Sequence, residues 1–173
     1  MTMLHRSSVV FVAKAIATSV LALSGLAGCA LEMPFEGPGY VLGEGLVGEP
    51  RDSYIAATTD LILGDDPGAQ AAFDTHVAAM KEAIIDQPGF VGMSLGTVIF
   101  GNSQRTLTVW ESEEAMLAWV VSDTHIAAME AFAADGMADP ASKVAQWTLT
   151  ADEMPPTWAQ AREHIEAEGR EVY

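Results

Sequence analysis

The sequence predicts an α+β domain, two helical segments on one antiparallel sheet, in the order strand, helix, strand, strand, helix, strand. Three observations carry this. Apolar residues recur at helical spacing in two blocks, residues 69–86 and 113–134. Four other blocks, 53–63, 90–100, 105–110 and 143–150, alternate or run apolar as strands do. Each change of period falls on a turn or cap signal: "GDDPG", Pro88-Gly89, "GNSQ" and Ser112. This order is the split βαβ, ferredoxin-like pattern.

Residues 1–28 precede the domain as a targeting segment. His5, Arg6 and Lys14 open it, and the apolar run "AIATSVLALSGLAG" follows. From Lys14 to Cys29 the chain is too short to span a bilayer, which takes about 20 residues, and it fits the apolar region of a secretory signal. The run closes on "LAGC", which resembles the lipobox of bacterial lipoproteins. That resemblance implies cleavage before Cys29, lipidation of its thiol and residence in the cell envelope. With Ala30 next, it points to the periplasmic side of the outer membrane if the cell is Gram-negative. Residues 29–50 carry five glycines, three prolines and no periodicity. They are expected to be a flexible tether, spanning roughly 25 Å as a coil.

The domain itself is expected over residues 51–150. "SYIAATTDLIL" reads as the first strand. "AQAAFDTHVAAMKEAIID" puts Phe73, Val77, Met80 and Ile84 on one stripe of a helix. "FVGMSLGTVIF" alternates, with Val91, Met93, Leu95 and Ile99 on one face, and "RTLTVW" returns from the hairpin turn. Ser112 is a helix cap with Glu113 and Glu114 in the first turn, and the helix that follows is expected to break near Ser122-Asp123. "KVAQWTLT" is the closing strand, and residues 151–173 form a helical extension with Trp158, Arg162 and Ile165 on one side. Two helices cover one sheet face. The other face, expected to carry Phe90, Val98, Phe100 and Trp110 or their neighbours, lacks cover, so a homodimer through the sheet is expected.

Composition excludes several functions. Acidic residues number 24 against 8 basic, and removal of Arg6 and Lys14 with the signal leaves 6 against 24, a net charge of −18. Such a chain lacks the basic stripe that nucleic acid requires and is repelled by anionic lipid headgroups. One cysteine supports neither an intramolecular disulfide nor a cysteine-rich zinc site. No two histidines have the spacing of a helical metal site, and no dinucleotide, phosphate-loop or G-x-S-x-G signature occurs.

"PGFVGMSL", the hairpin after it, "LTVWESEEAMLAWVVSDTHIAAM" and the closing strand together resemble the antibiotic biosynthesis monooxygenase family over roughly residues 52–150. The resemblance implies a dimeric α/β barrel, with a pocket between sheet and helices in each subunit. It also implies oxygen chemistry on aromatic or quinol-like molecules without a cofactor, or on haem. Within the family the chain is most similar to the haem-degrading monooxygenases. Those carry a first-strand asparagine, where this sequence has Thr58 or Thr59, a second tryptophan, matched by Trp119, and a helix histidine, where Met129 stands. His125 lies one turn earlier. Haem degradation by the family's route is therefore not expected.

The residues fit two readings. Trp119 lies on an apolar helix face and is either core or pocket wall; Trp110 is packing or dimer surface. His125, Met129 and Phe132 share a helix face at i, i+4 and i+7, where a histidine is a base, an axial ligand or a satisfied core residue. In the enzymatic reading, a monooxygenase without cofactor, His125 is the base and Trp119 the wall and donor. Thr58, Thr59, Met129 and Phe132 then bind a small hydrophobic or aromatic substrate. In the alternative reading the same cavity of a non-catalytic lipoprotein binds a hydrophobic ligand or haem.

Overall fold

The computed structural model describes residues 30–99, 101–134 and 136–172. The signal segment and Cys29 lie outside the described residues. Three short strands come first: β1 (Ala30–Glu32), β2 (Tyr40–Val41) and β3 (Gly45–Leu46). The ferredoxin-like unit follows: β4 (Tyr54–Ile62), α1 (Ala69–Ile84), β5 (Phe90–Val98), β6 (Ser103–Trp110), α2 (Glu113–Val120), α3 (Asp123–Phe132) and β7 (Lys143–Leu149). Helix α4 (Trp158–Glu168) and strand β8 (Arg170–Glu171) end the chain. The sheet runs β1-β5-β6-β4-β7-β8 with every neighbouring pair antiparallel, and β2 and β3 pair with each other. Its inner four strands are the predicted unit.

The α2–α3 break comes from local hydrogen bonding. Ser112 Oγ accepts from the Ala115 N–H at 3.2 Å, and Ser122 Oγ accepts from the His125 N–H at 3.3 Å. Ser122 is extended (ψ 150°), so it closes one helix and caps the next. Each such cap contributes about 1 kcal/mol, and together they fix where His125 enters α3.

Strand alternation divides the sheet into two faces. Ile55, Ala57, Thr59 and Leu61 of β4 turn toward α1–α3; Tyr54, Ala56 and Thr58 turn away. In β5 the alternation is broken by a bulge between Phe90 and Gly92. Phe90 and Met93 therefore face the helices with Trp110, whereas Val91 joins the opposite face. This corrects the expected common face for Val91 and Met93, and it moves Phe90 and Trp110 off the face thought to lack cover.

That opposite face is covered by the chain itself. Residues 30–50 form a packed strap rather than a flexible tether. Ala30 pairs with Val98 in the sheet, Glu36 bridges to Met93, and Phe35 and Tyr40 are buried against Tyr54, Ala56, Val91 and Val109. The glycines that suggested flexibility permit this packing. A Cβ on Gly37 would stand 2.4 Å from the Gly92 backbone, and one on Gly92 would stand 2.8 Å from the Phe35 ring. Helix α4 covers the rest, burying Trp158 and Ala161 against Leu107. The Trp158 indole N–H donates to Ser94 Oγ at 3.0 Å, and the Ser94 hydroxyl donates to the Met33 carbonyl at 2.5 Å, so helix, sheet and strap share one hydrogen-bond chain. His164, which lies on a charged helix, stacks on Trp147 with ring centroids 4.3 Å apart. The sheet face on which the expected homodimer rested is thus covered by the strap and α4.

Candidate functional site

Between the other sheet face and helices α1–α3 lies a cavity of about 340 Å³. Its roof is the predicted α1 stripe, Phe73, Val77, Met80 and Ile84, together with Trp119, His125, Met129 and Phe132 from α2 and α3. Its floor is less apolar: Thr59, Gln104, Thr106, Thr108 and Gln146 face it from the sheet. The floor residues of β6 went unrecognised in the sequence. Gln104, Thr106 and Thr108 alternate with Leu107 and Val109, and in an antiparallel strand the polar set ordinarily faces water. Here the apolar set is buried beneath the strap and α4, and the polar set faces the cavity.

Five of the candidate residues meet in this cavity: Thr59, Trp119, His125, Met129 and Phe132. Thr58 does not. It lies on the opposite face, buried, with its hydroxyl donating to the Thr106 carbonyl at 2.8 Å, because one step along a strand reverses the side chain.

Trp119 is both core and wall. It is 6% exposed and packs with Ile84, Phe90, Trp110 and Met116, while its surface also lines the cavity. The Trp110 ring stacks on it at 6.4 Å and the His125 ring meets it edge-on at 5.6 Å. The Trp110 N–H donates to Thr108 Oγ1 at 3.1 Å. The Trp119 N–H has no hydrogen-bond partner among the described residues, and since no fully buried side-chain nitrogen there is left unpaired, it remains accessible.

His125 is oriented by its own turn. Its Nδ1 lies 3.1 Å from the Val120 carbonyl oxygen. A carbonyl only accepts, so Nδ1 carries the proton and Nε2 keeps a lone pair. Burial lowers the pKa of this ring below its ordinary 6.5, partly opposed by the hydrogen bond to Val120. Its place in the first turn of α3, where positive charge is disfavoured, acts in the same sense as burial. At neutral pH His125 is therefore a neutral imidazole with a free acceptor nitrogen. One consequence is measurable. As pH falls below 6.5 the unfolded chain takes up a proton at residue 125 before the folded chain does, so folding stability should fall with pH in that window. Urea melts across pH 5–8 should show a shallower slope in His125→Asn.

Thr59 offers the cavity a short hydroxyl and Met129 a thioether, a ligand weaker toward ferric iron than imidazole. His125 lies a turn away, with its ring held against Val120.

Residues 66–131, spanning most of α1 to α3, match the model of the antibiotic biosynthesis monooxygenase family. A comparison with curated proteins gives no match. Among solved structures, the chain is similar to a Lactobacillus acidophilus protein provisionally described as a monooxygenase (20% identity, TM-score 0.47), covering 60% of this chain and 50% of that one. It is similar to a cofactor-independent oxygenase from Streptomyces nogalater (19% identity, TM-score 0.41), covering 62% of this chain and all of that one. It is also similar to a haem-degrading enzyme from Listeria monocytogenes (13% identity, TM-score 0.44), covering 70% and 69%. This chain thus spans half the length of the Lactobacillus protein.

Proposed function

We propose, on the match of residues 66–131 to the antibiotic biosynthesis monooxygenase model, that the cavity oxygenates a phenol- or quinol-like aromatic molecule without a cofactor. The observation that carries this reading is His125: a neutral imidazole, its Nδ1–H engaged by Val120, in the otherwise apolar roof of the cavity. A histidine that is neutral at pH 7 suits proton abstraction there. Nε2 takes the phenol proton, and the apolar surroundings leave the anion poorly solvated and electron-rich. The phenolate passes one electron to O2, and the aryloxyl and superoxide radicals combine at a ring carbon to give a peroxide anion. The imidazolium returns its proton to that peroxide. Loss of the ring C–H proton with cleavage of the O–O bond then gives a quinone and water. One phenol and one O2 yield one quinone and one water, so no external reductant is needed. Trp119 N–H and the Thr59 hydroxyl are the donors for the developing oxyanions.

Oxygen uptake with 1-naphthol or a naphthoquinol as substrate tests this. Uptake stoichiometric with quinone formation, proportional to protein concentration and unaffected by chelators, is expected. Binding without uptake would favour a non-catalytic ligand carrier.

The proposal extends to location. Cleavage and lipidation at Cys29 would attach the anchor one residue before β1, whose Ala30 pairs with Val98. The domain would then sit directly against the membrane surface rather than on a tether. Cys29→Ser should move the protein from the membrane fraction to the soluble fraction of cells; unchanged membrane retention would contradict the anchor. Among the described residues no helix is long and apolar enough to cross a membrane.

A further inference from the structure

The chain carries 24 acidic residues against 8 basic ones. Among the described residues lining the cavity the balance is reversed: Lys81 and Arg170 are there, and no aspartate or glutamate. Both side chains are exposed at the cavity's rim, Lys81 on the last turn of α1 and Arg170 on β8. Their ion pairing differs from that of the other arginines. Arg51, Arg105 and Arg162 are bound to Glu111, Asp60 and Glu32, whereas Lys81 and Arg170 make no ion pair among the described residues. Arg170 is delivered by the C-terminal segment, where β8 pairs with β7 through Val144. Its backbone position is thus fixed by the sheet while its guanidinium is free. In a chain whose net charge of −16 repels anions, two unpaired cations and no carboxylate around one cavity form a local positive rim.

We propose that Lys81 and Arg170 form an anion subsite, so that the cavity's ligand is an apolar, aromatic molecule carrying a carboxylate or comparable anionic group. The ring system lies against Phe73, Met80 and Trp119, and the charged group stays at the rim, where it remains partly hydrated. The subsite rests on the cavity reading of the proposed function but not on turnover.

Two fluorescent dyes with the same anilinonaphthalene skeleton separate the two ideas. 8-Anilinonaphthalene-1-sulfonate carries an anion, and N-phenyl-1-naphthylamine does not. Both should bind the native protein. In Lys81→Gln/Arg170→Gln the sulfonate dye should weaken roughly tenfold, as two partly screened charge contacts would give, while the neutral dye changes little. High salt should weaken the sulfonate dye alone. Lys143→Gln, which removes another cation that does not line the cavity, should change neither. Circular dichroism melts of each variant should match the native melt, since Lys81 and Arg170 are exposed and Lys143 is half-buried. If the double variant alters both dyes equally, or neither, the anion subsite is wrong and the cavity reading stands. If the native protein binds neither dye, the cavity reading falls and the subsite with it.

Discussion

Residues 51–173, stripped of the strap, should self-associate, whereas residues 30–173 should sediment at the monomer mass. The strap buries Phe35 and Tyr40 over Tyr54, Ala56, Val91 and Val109. Its removal uncovers a continuous apolar patch on the sheet, the kind of surface that pairs with a second copy or aggregates. A monomer of the longer chain is expected from the same packing, since a partner could reach that face only by displacing the strap. Phe35→Ala in the intact domain is a milder form of the experiment. Truncating a buried phenylalanine costs about 3–5 kcal/mol, a large share of the 5–15 kcal/mol that stabilises a typical domain. Sedimentation velocity on the two lengths and a urea melt of Phe35→Ala check this. A dimer of residues 30–173 with the strap in place would overturn it.

The second large effect is at Trp119. Replacement by alanine removes a ring packed between Trp110 and His125 and should cost about 3–5 kcal/mol. Trp119→Phe should keep most of the packing and lose only the accessible N–H. Stability near native with a clear fall in turnover is therefore expected for phenylalanine, and loss of both for alanine. If Trp119→Phe left turnover unchanged, the residue would be core alone.

What could be read in the sequence was whatever depended on period and caps. The α1 stripe, the alternation of β4, the break at Ser122 and the ferredoxin-like order are local signals, and each appears in the fold. Three features were not legible, each for a physical reason. The strap has the composition of a coil, yet Gly37 and Gly92 serve a close backbone crossing, a long-range requirement that composition does not encode. The bulge at Phe90–Gly92 shifts the strand's period by one residue, which reverses faces without altering its apolar character. The polar floor at Gln104, Thr106 and Thr108 looks like a solvated strand face unless one knows that helices enclose it. Of the site, the helix-borne residues were found because i, i+4 and i+7 place His125, Met129 and Phe132 together. On the strand the resemblance left Thr58 and Thr59 open, and only the register chooses Thr59.

The central claim is that His125 is the base of an oxygenating cavity, and a kinetic comparison of His125→Gln with the native protein tests it most directly. Glutamine keeps the size and hydrogen bonding of the side chain but cannot take a proton at neutral pH. The account predicts a loss in kcat of about 10²–10⁴-fold, the usual share of a general base, with KM and the binding of N-phenyl-1-naphthylamine within a few-fold of native. Turnover in His125→Gln equal to that of the native protein, with the same quinone product, would contradict it.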